Sequence, residues 1–333
     1  MTKQEELSAL EKELKKKYGN DIISLGSEIL IEEKQVLPIS PAIDSIIGGG
    51  VPEGSWVGLA GPSGCGKTTL ALTLAANGQK KEFGEREVFY IDAEGRLKRK
   101  NLEGIKGLDA SKVKVIRSTK EKHLSGEEFS SIATNIIKTH ERAIIIIDSV
   151  SSMCPSAEIT EDVSGAIRST SPRIMASFCR LNAGVVPVMN TIVITIHHLI
   201  NNTSGWGEKM MLDCGVKIGY QADVKLITKN KPEKWMSDGK QIGQIPEWEC
   251  LKAAIGPPHG VCRNFIRYGE GVDATKEIVT MGIELGIITG KGWYYLPFIA
   301  EDFKLQGQEK VEMYIKENPK YIKVIQDKIL EMQ

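Results

Sequence analysis

Trp56-Val57-Gly58-Leu59-Ala60-Gly61-Pro62-Ser63-Gly64-Cys65-Gly66-Lys67-Thr68-Thr69 is the stretch on which the reading of this chain turns. Its first five residues are apolar or small, as a strand buried on both faces requires. The next nine begin with the pattern G-x-x-x-x-G-K-[ST] without a gap, and Leu70–Ala76 continues as a good helix. Strand, glycine-rich turn and helix in that order form a phosphate cradle. Glycine lets successive N–H groups converge on phosphate oxygens, and the helix N-terminus adds free donors and a favourable dipole. Gly61, Pro62, Ser63, Gly64, Cys65, Gly66, Lys67, Thr68 and Thr69 are therefore candidate ATP-binding residues. Lys67 is placed to reach the β- and γ-phosphates, and the Thr68 hydroxyl to ligate Mg²⁺.

Two further strand ends carry acids. Ala143-Ile-Ile-Ile-Ile147-Asp148 is an apolar run closed by a carboxylate, the second group expected to hold Mg²⁺. Phe89-Tyr90-Ile91-Asp92-Ala93-Glu94 is another. Glu94 is the candidate to orient or deprotonate the attacking water. On its own pattern it reads first as an ordinary exposed acid at a strand end.

Apolar runs recur at Trp56–Ala60, Val88–Ile91, Val113–Ile116, Ala143–Ile147, Thr191–Ile196 and Val224–Ile227. The early ones alternate with helix-length segments. This predicts an α/β fold: a P-loop ATPase core whose mostly parallel central sheet is covered by helices on both faces. Val224–Ile227, Glu249–Ala253 and Cys262–Tyr268 lie closer together and are expected to form an antiparallel extension. Ahead of the core, residues 4–18 carry Leu7, Leu10 and Leu14 at helical spacing, and Ile22–Leu25 reads as a companion strand. Beyond it, 275–285 reads as a helix, Gly286–Tyr295 as a hairpin and 308–331 as helical. The expected division is an arm at 1–32, the core at 33–273 and a small C-terminal α+β domain at 274–333.

Composition narrows the class. Of 333 residues, 41% are hydrophobic and 26% charged, the profile of a soluble globular protein. Lys+Arg and Asp+Glu both number 43, so any nucleic-acid site must come from local placement of charge. The six cysteines are scattered without CxxC or metal spacing, which fits reduced thiols in a cytoplasmic setting. No apolar run approaches a membrane span, and residues 1–19 lack the apolar stretch of a signal peptide.

Taken in order, these motifs resemble the RecA family of DNA recombinases. The likeness extends from Gly48–Thr69 through Tyr90–Glu94, Asp148–Val150, Pro155–Ile159 and Tyr268–Gly271 to Gly290–Trp293 and Glu317–Pro319. Phage strand-exchange proteins share parts of it. The resemblance implies a helical filament on single-stranded DNA that pairs with homologous duplex DNA, with ATP clamped between neighbouring copies. It gives Glu94 the role of catalytic base and makes Tyr268 a platform for adenine. It places two DNA-holding loops near Glu161–Thr170 and Leu199–Cys214. Arg168, Arg173, Arg180, Trp206 and Gly215 are the candidate DNA-binding residues, since arginine pairs with phosphate and aromatics stack on bases. Read singly, each arginine also fits a solvated helix face. His198 stands where the family senses the γ-phosphate, and an imidazole N–H there can donate to it.

Departures accompany the likeness. The lysine pair that the family projects into the neighbour's ATP site falls at Lys252 and Ala254, so one charge is missing; Lys217 or Arg263 could substitute, and nothing in the sequence decides between them. The segment after Glu94 is basic and lacks the Asp and Tyr that contact adenine in the family. The acidic tail of many bacterial members is not seen, which implies less restrained access to duplex DNA. A ring-forming helicase with the same core and an ATP-binding mediator of another recombinase are the competing readings.

Overall fold

The computed structural model describes residues 3–31, 33–160, 171–201, 210–212 and 216–332. Contacts divide the chain into two units, Met1–Gln35 and Val36–Gln333. The first holds the helix Lys3–Tyr18 predicted by the leucine spacing, a 3-10 turn at Asn20–Ile22 and a short helix at Gly26–Leu30. Gly19, at φ 105°, closes the long helix, and its N–H returns to the Lys15 carbonyl at 2.9 Å. The companion strand expected at Ile22–Leu25 is not formed, because those residues make the bend between the two helices. A strand needs a ladder partner for its backbone, and no strand lies among the described residues of this unit.

The second unit is built on eight strands: β1 (Trp56–Ala60), β2 (Val88–Asp92), β3 (Val113–Ile116), β4 (Ile144–Asp148), β5 (Ile192–His197), β6 (Val224–Ile227), β7 (Glu247–Lys252) and β8 (Val261–Arg263). They lie in the order β8-β7-β6-β1-β5-β4-β2-β3. The run from β6 to β3 is parallel throughout, while β7 and β8 are antiparallel. Here the expectation for Val224–Ile227 is corrected. It aligns with β1 in parallel, Val224 opposite Val57 and Ile227 opposite Ala60, and the antiparallel extension starts one strand later. The helix Val216–Gln221 precedes it and lets the chain re-enter the sheet in the same direction. Cys262–Tyr268 is also divided. Val261–Arg263 is β8, whereas Ile266–Arg267 joins a separate four-stranded sheet with Glu233–Ser237, Lys240–Ile245 and Gly271–Val272.

Each central strand is apolar on both faces because each face has its own helical cover. Val57, Leu59, Tyr90, Ile144, Ile146 and Ile194 pack with Leu70 and Leu74 of the helix Lys67–Gly78. Trp56, Phe89, Ile91, Ile145, Ile147 and Val193 pack on the other side with Phe129 and Ile137 of Gly126–Thr139 and with Met175 and Phe178 of Ser171–Asn182. The alternation of residues between two cores is the period-2 signature of a strand inside an unbroken apolar run.

The C-terminal region has a third core of Ile278, Val279, Leu296, Val311, Ile315, Ile325 and Ile329. The helix Ala274–Glu284 is where expected, with Asp273 capping it through the Lys276 N–H at 3.0 Å. The hairpin expected within Gly286–Tyr295 is present as a single antiparallel bridge, Thr289 to Tyr295, and Trp293–Tyr295 pairs further with Lys304–Gln306, outside that segment. Residues 308–331 form two helices, Gln308–Glu317 and Lys320–Glu331, parted at Asn318-Pro319, since proline interrupts a helix interior. Glu277 anchors the region to the core. Its carboxyl accepts from the Ala42 N–H at 3.0 Å and the Phe265 N–H at 3.2 Å, and it meets the Asn264 amide. Burial pushes its pKa up to about 7 against those hydrogen bonds.

Candidate active site and DNA-facing elements

Parallel strands end on one edge, so the loops after β1, β2, β4 and β5 converge. They enclose a cleft of about 380 Å³ in which the phosphate loop, Asp148, Glu94, His198 and Tyr268 face one space. The loop is held by its own backbone. Gly66 has φ 94° and caps the helix Lys67–Gly78. The positive φ is what favours glycine there; a Cβ would also stand 2.3 Å from Ile266 Cδ1, the end of a side chain that can turn aside. The Lys67 ammonium folds back onto the carbonyls of Gly61 and Pro62, both at 2.7 Å. Those are contacts a phosphate can replace. Burial pushes the Cys65 thiol up, with the Lys67 charge opposing it.

At the end of β4, Asp148 accepts from the Thr68 hydroxyl at 2.8 Å and from the Tyr90 hydroxyl. Both bonds fall on Oδ2, so Oδ1 is the oxygen left for a cation or its waters. A hydroxyl and a carboxylate in contact are hard oxygen donors of the kind Mg²⁺ takes beside substrate phosphates. Tyr90 is buried, and burial with the adjacent Asp148 charge raises its pKa far above the ordinary phenol, so it remains a donor.

Glu94 follows β2. Its N–H donates to the Asp148 carbonyl at 3.2 Å, which ties two strand ends together. Its Oε1 lies 3.7 Å from His198 Nε2 and 3.1 Å from the Arg96 guanidinium. The turn carrying Arg96 is fixed by Asp92, whose buried carboxylate accepts the N–H groups of Arg96 at 3.0 Å and Leu97 at 3.2 Å. Opposite, Gln244 donates to the Gly64 carbonyl at 2.9 Å. Tyr268 is 54% exposed on the open side and accepts from Gln241 at 2.8 Å. Its partly free ring keeps it available as a base platform.

His198 is also where the cleft meets the second loop. β5 ends at His197, and Leu199–Asn201 begins a two-stranded antiparallel ribbon with Met210–Leu212. The His198 N–H donates to Ser151 at 3.1 Å, beyond the end of β4. His197 itself is buried and pushed down to about 3 by burial, with Lys225, His198 and Lys67 adding to it, so it stays neutral.

The other candidates lie elsewhere. Lys252 is outside its own cleft; its ammonium donates to the Ala222 carbonyl at 2.6 Å on the far side of β1. Arg173 and Arg180 are exposed on the helix Ser171–Asn182, seven residues apart and so on one face, opposite buried Met175 and Phe178. Arg168, Trp206 and Gly215 lie outside the described residues. Tyr90, Arg96 and Gln244 are site residues that sequence reasoning missed. Arg96 left a signal in the basic run 96–100; Tyr90 and Gln244 left none.

The sequence pattern described as the RecA N-terminal domain matches residues 5–273. The chain is similar to proteins called Protein RecA from Thermotoga neapolitana, at 31% identity over 97% of this chain and 92% of that one. It is also similar to those from Nitratiruptor sp., at 30% over 98% and 93%, and Bacteroides thetaiotaomicron, at 30% over 99% and 98%.

Proposed function

The chain belongs to the RecA family, and on that premise we propose that it is an ATP-dependent recombinase. It assembles on single-stranded DNA and pairs it with homologous duplex. The observation that carries this reading is the place of His198. One residue links the cleft that holds the phosphate loop and Glu94 to the ribbon Leu199–Asn201.

ATP enters with its phosphates on Gly61–Thr69, where Lys67 exchanges the Gly61 and Pro62 carbonyls for phosphate oxygens. Thr68 and Asp148 are the residues that would hold Mg²⁺, which supplies charge against the β- and γ-oxygens. Tyr90 keeps the Asp148 carboxylate oriented. Glu94 directs water at the γ-phosphate. His198 registers whether that phosphate is present and passes the difference to the ribbon, so that ATP tightens and hydrolysis weakens the grip on DNA. Arg173 and Arg180 supply positive charge for the DNA backbone, and Arg168, Trp206 and Gly215 are assigned to the same surface. Base pairing selects the sequence, so the protein need only hold backbones. Lys252, turned from its own cleft, is assigned to that of a neighbouring copy in the filament. Among the described residues no helix is long and apolar enough to cross a membrane.

Glu94→Gln tests the reading. Hydrolysis should collapse while ATP-dependent binding to single-stranded DNA persists. Normal turnover in that variant would remove Glu94 from its role.

A further inference from the structure

We propose that Arg96 is a cis-acting cation of the cleft, steadying Glu94 and meeting the negative charge that develops on the γ-phosphoryl group. The inference rests on the reading of the cleft as an ATPase site and names a group that reading does not use.

Three observations carry it. Arg96 Nη1 lies 3.1 Å from Glu94 Oε1, the same oxygen that faces His198. The turn bearing it is pinned at two successive N–H groups by the buried Asp92 carboxylate, so the backbone of Arg96 is fixed while its guanidinium, 72% exposed, can turn. Both Arg96 and Glu94 line the cleft beside the phosphate loop. An ion pair with so exposed a partner adds little to stability, so folding gives no sufficient reason for it. The position has a chemical reason. Phosphoryl transfer spreads negative charge over the γ-oxygens, and arginine is effective against it whether supplied by the same chain or by another.

Arg96 also answers the gap at Ala254, where one of the two charges expected from a neighbouring copy is absent. Lys217 and Arg263 are the substitutes the sequence offers. Arg263, on β8, is turned to Glu233 of the four-stranded sheet. Arg96 needs no neighbour. In the step itself, the oxygen of water bonds to the γ-phosphorus and the bond to the β,γ-bridging oxygen breaks. The water proton passes to Glu94, and ADP and inorganic phosphate leave. Arg96 holds Glu94 by one carboxylate oxygen, leaving the other for the water, and its free N–H groups face the transferring group.

The test compares steady-state ATP hydrolysis by wild type, Arg96→Ala, Arg96→Lys and Arg99→Ala, with Mg²⁺ and single-stranded DNA. Arg99 pairs with Glu103 on its own helix and does not line the cleft, so its variant should match wild type. Arg96→Ala should lower kcat by about 100-fold with KM for ATP changed by less than about threefold, because the lost interaction belongs to the transition state. Arg96→Lys should recover part of kcat, since charge returns without the fork. The DNA-free hydrolysis that remains on dilution should also fall in Arg96→Ala, as a charge acting in cis requires. Thermal unfolding of the exposed-site variants should match wild type. An active wild type with kcat within about threefold in Arg96→Ala overturns the role of Arg96 alone. A loss confined to KM overturns it as well, because it would mark Arg96 as a ground-state contact. A wild type that does not hydrolyse ATP overturns the ATPase reading along with it.

Discussion

Glu277→Gln measures how the C-terminal region is held to the core. Glu277 is wholly buried and accepts backbone hydrogen bonds from the helix Pro41–Ile47 and from Phe265. Its pKa is raised by burial to about 7, against an ordinary value of 4.5. The folded chain therefore keeps it protonated at pH values where the unfolded chain ionises it. Asn264 Nδ2 donates to Glu277 Oε1 and leaves the buried Asn264 Oδ1 without a partner; turning the amide over would let Oδ1 accept the carboxyl proton instead. The stability contributed is fully present below pH 4.5 and is lost as pH rises through 7. Between pH 5 and pH 9 the loss comes to about 2.5 kcal/mol, or roughly 3–4 °C in Tm for a chain of this size. The Asp44 carboxyl, also raised by burial, adds to the wild-type slope, so the informative quantity is the difference between wild type and Glu277→Gln. The variant should begin less stable at pH 5, because an amide cannot satisfy every donor around it, and the gap should narrow as pH rises. Melting followed by circular dichroism across this range decides the matter. A difference that stays constant from pH 5 to pH 9 would refute the reasoning.

Two other perturbations reach the nucleotide and DNA surfaces. Gly66→Ala forces φ 94° on a residue that resists it and pushes the Ile266 side chain aside, so ATP affinity should fall about tenfold in a fluorescent-nucleotide titration; affinity near wild type would contradict the loop geometry. Replacing Arg173 and Arg180 together by Ala should make the log–log salt dependence of single-stranded DNA binding shallower by about 1.4, and an unchanged slope would place both outside the DNA path.

What could be read beforehand followed from locality. The phosphate loop, Asp148 and Glu94 are each decided by a few adjacent residues at a strand end, and parallel pairing brings those ends together. Tyr90 was hidden because a tyrosine inside Val88–Asp92 has the same pattern as core, and only the fold sets its hydroxyl on Asp148. Gln244 reaches the loop from 180 residues away and carries no motif. The direction of Val224–Ile227 was misjudged because composition marks a strand as buried without saying which way it runs; the crossover helix before it decides. The failed strand at Ile22–Leu25 shows the converse, a β-favouring run with no strand to pair with among the described residues of its unit.

The central claim is that a triphosphate held at Lys67, Asp148 and Glu94 governs how DNA is gripped and exchanged. Its most direct test incubates the purified protein with circular single-stranded DNA and a homologous linear duplex, with ATP and Mg²⁺ and then without ATP. The account predicts joint molecules and displaced strand only with ATP and only with homologous sequence. Tight ATP-dependent binding to single strands with no exchange of a homologous partner would contradict it.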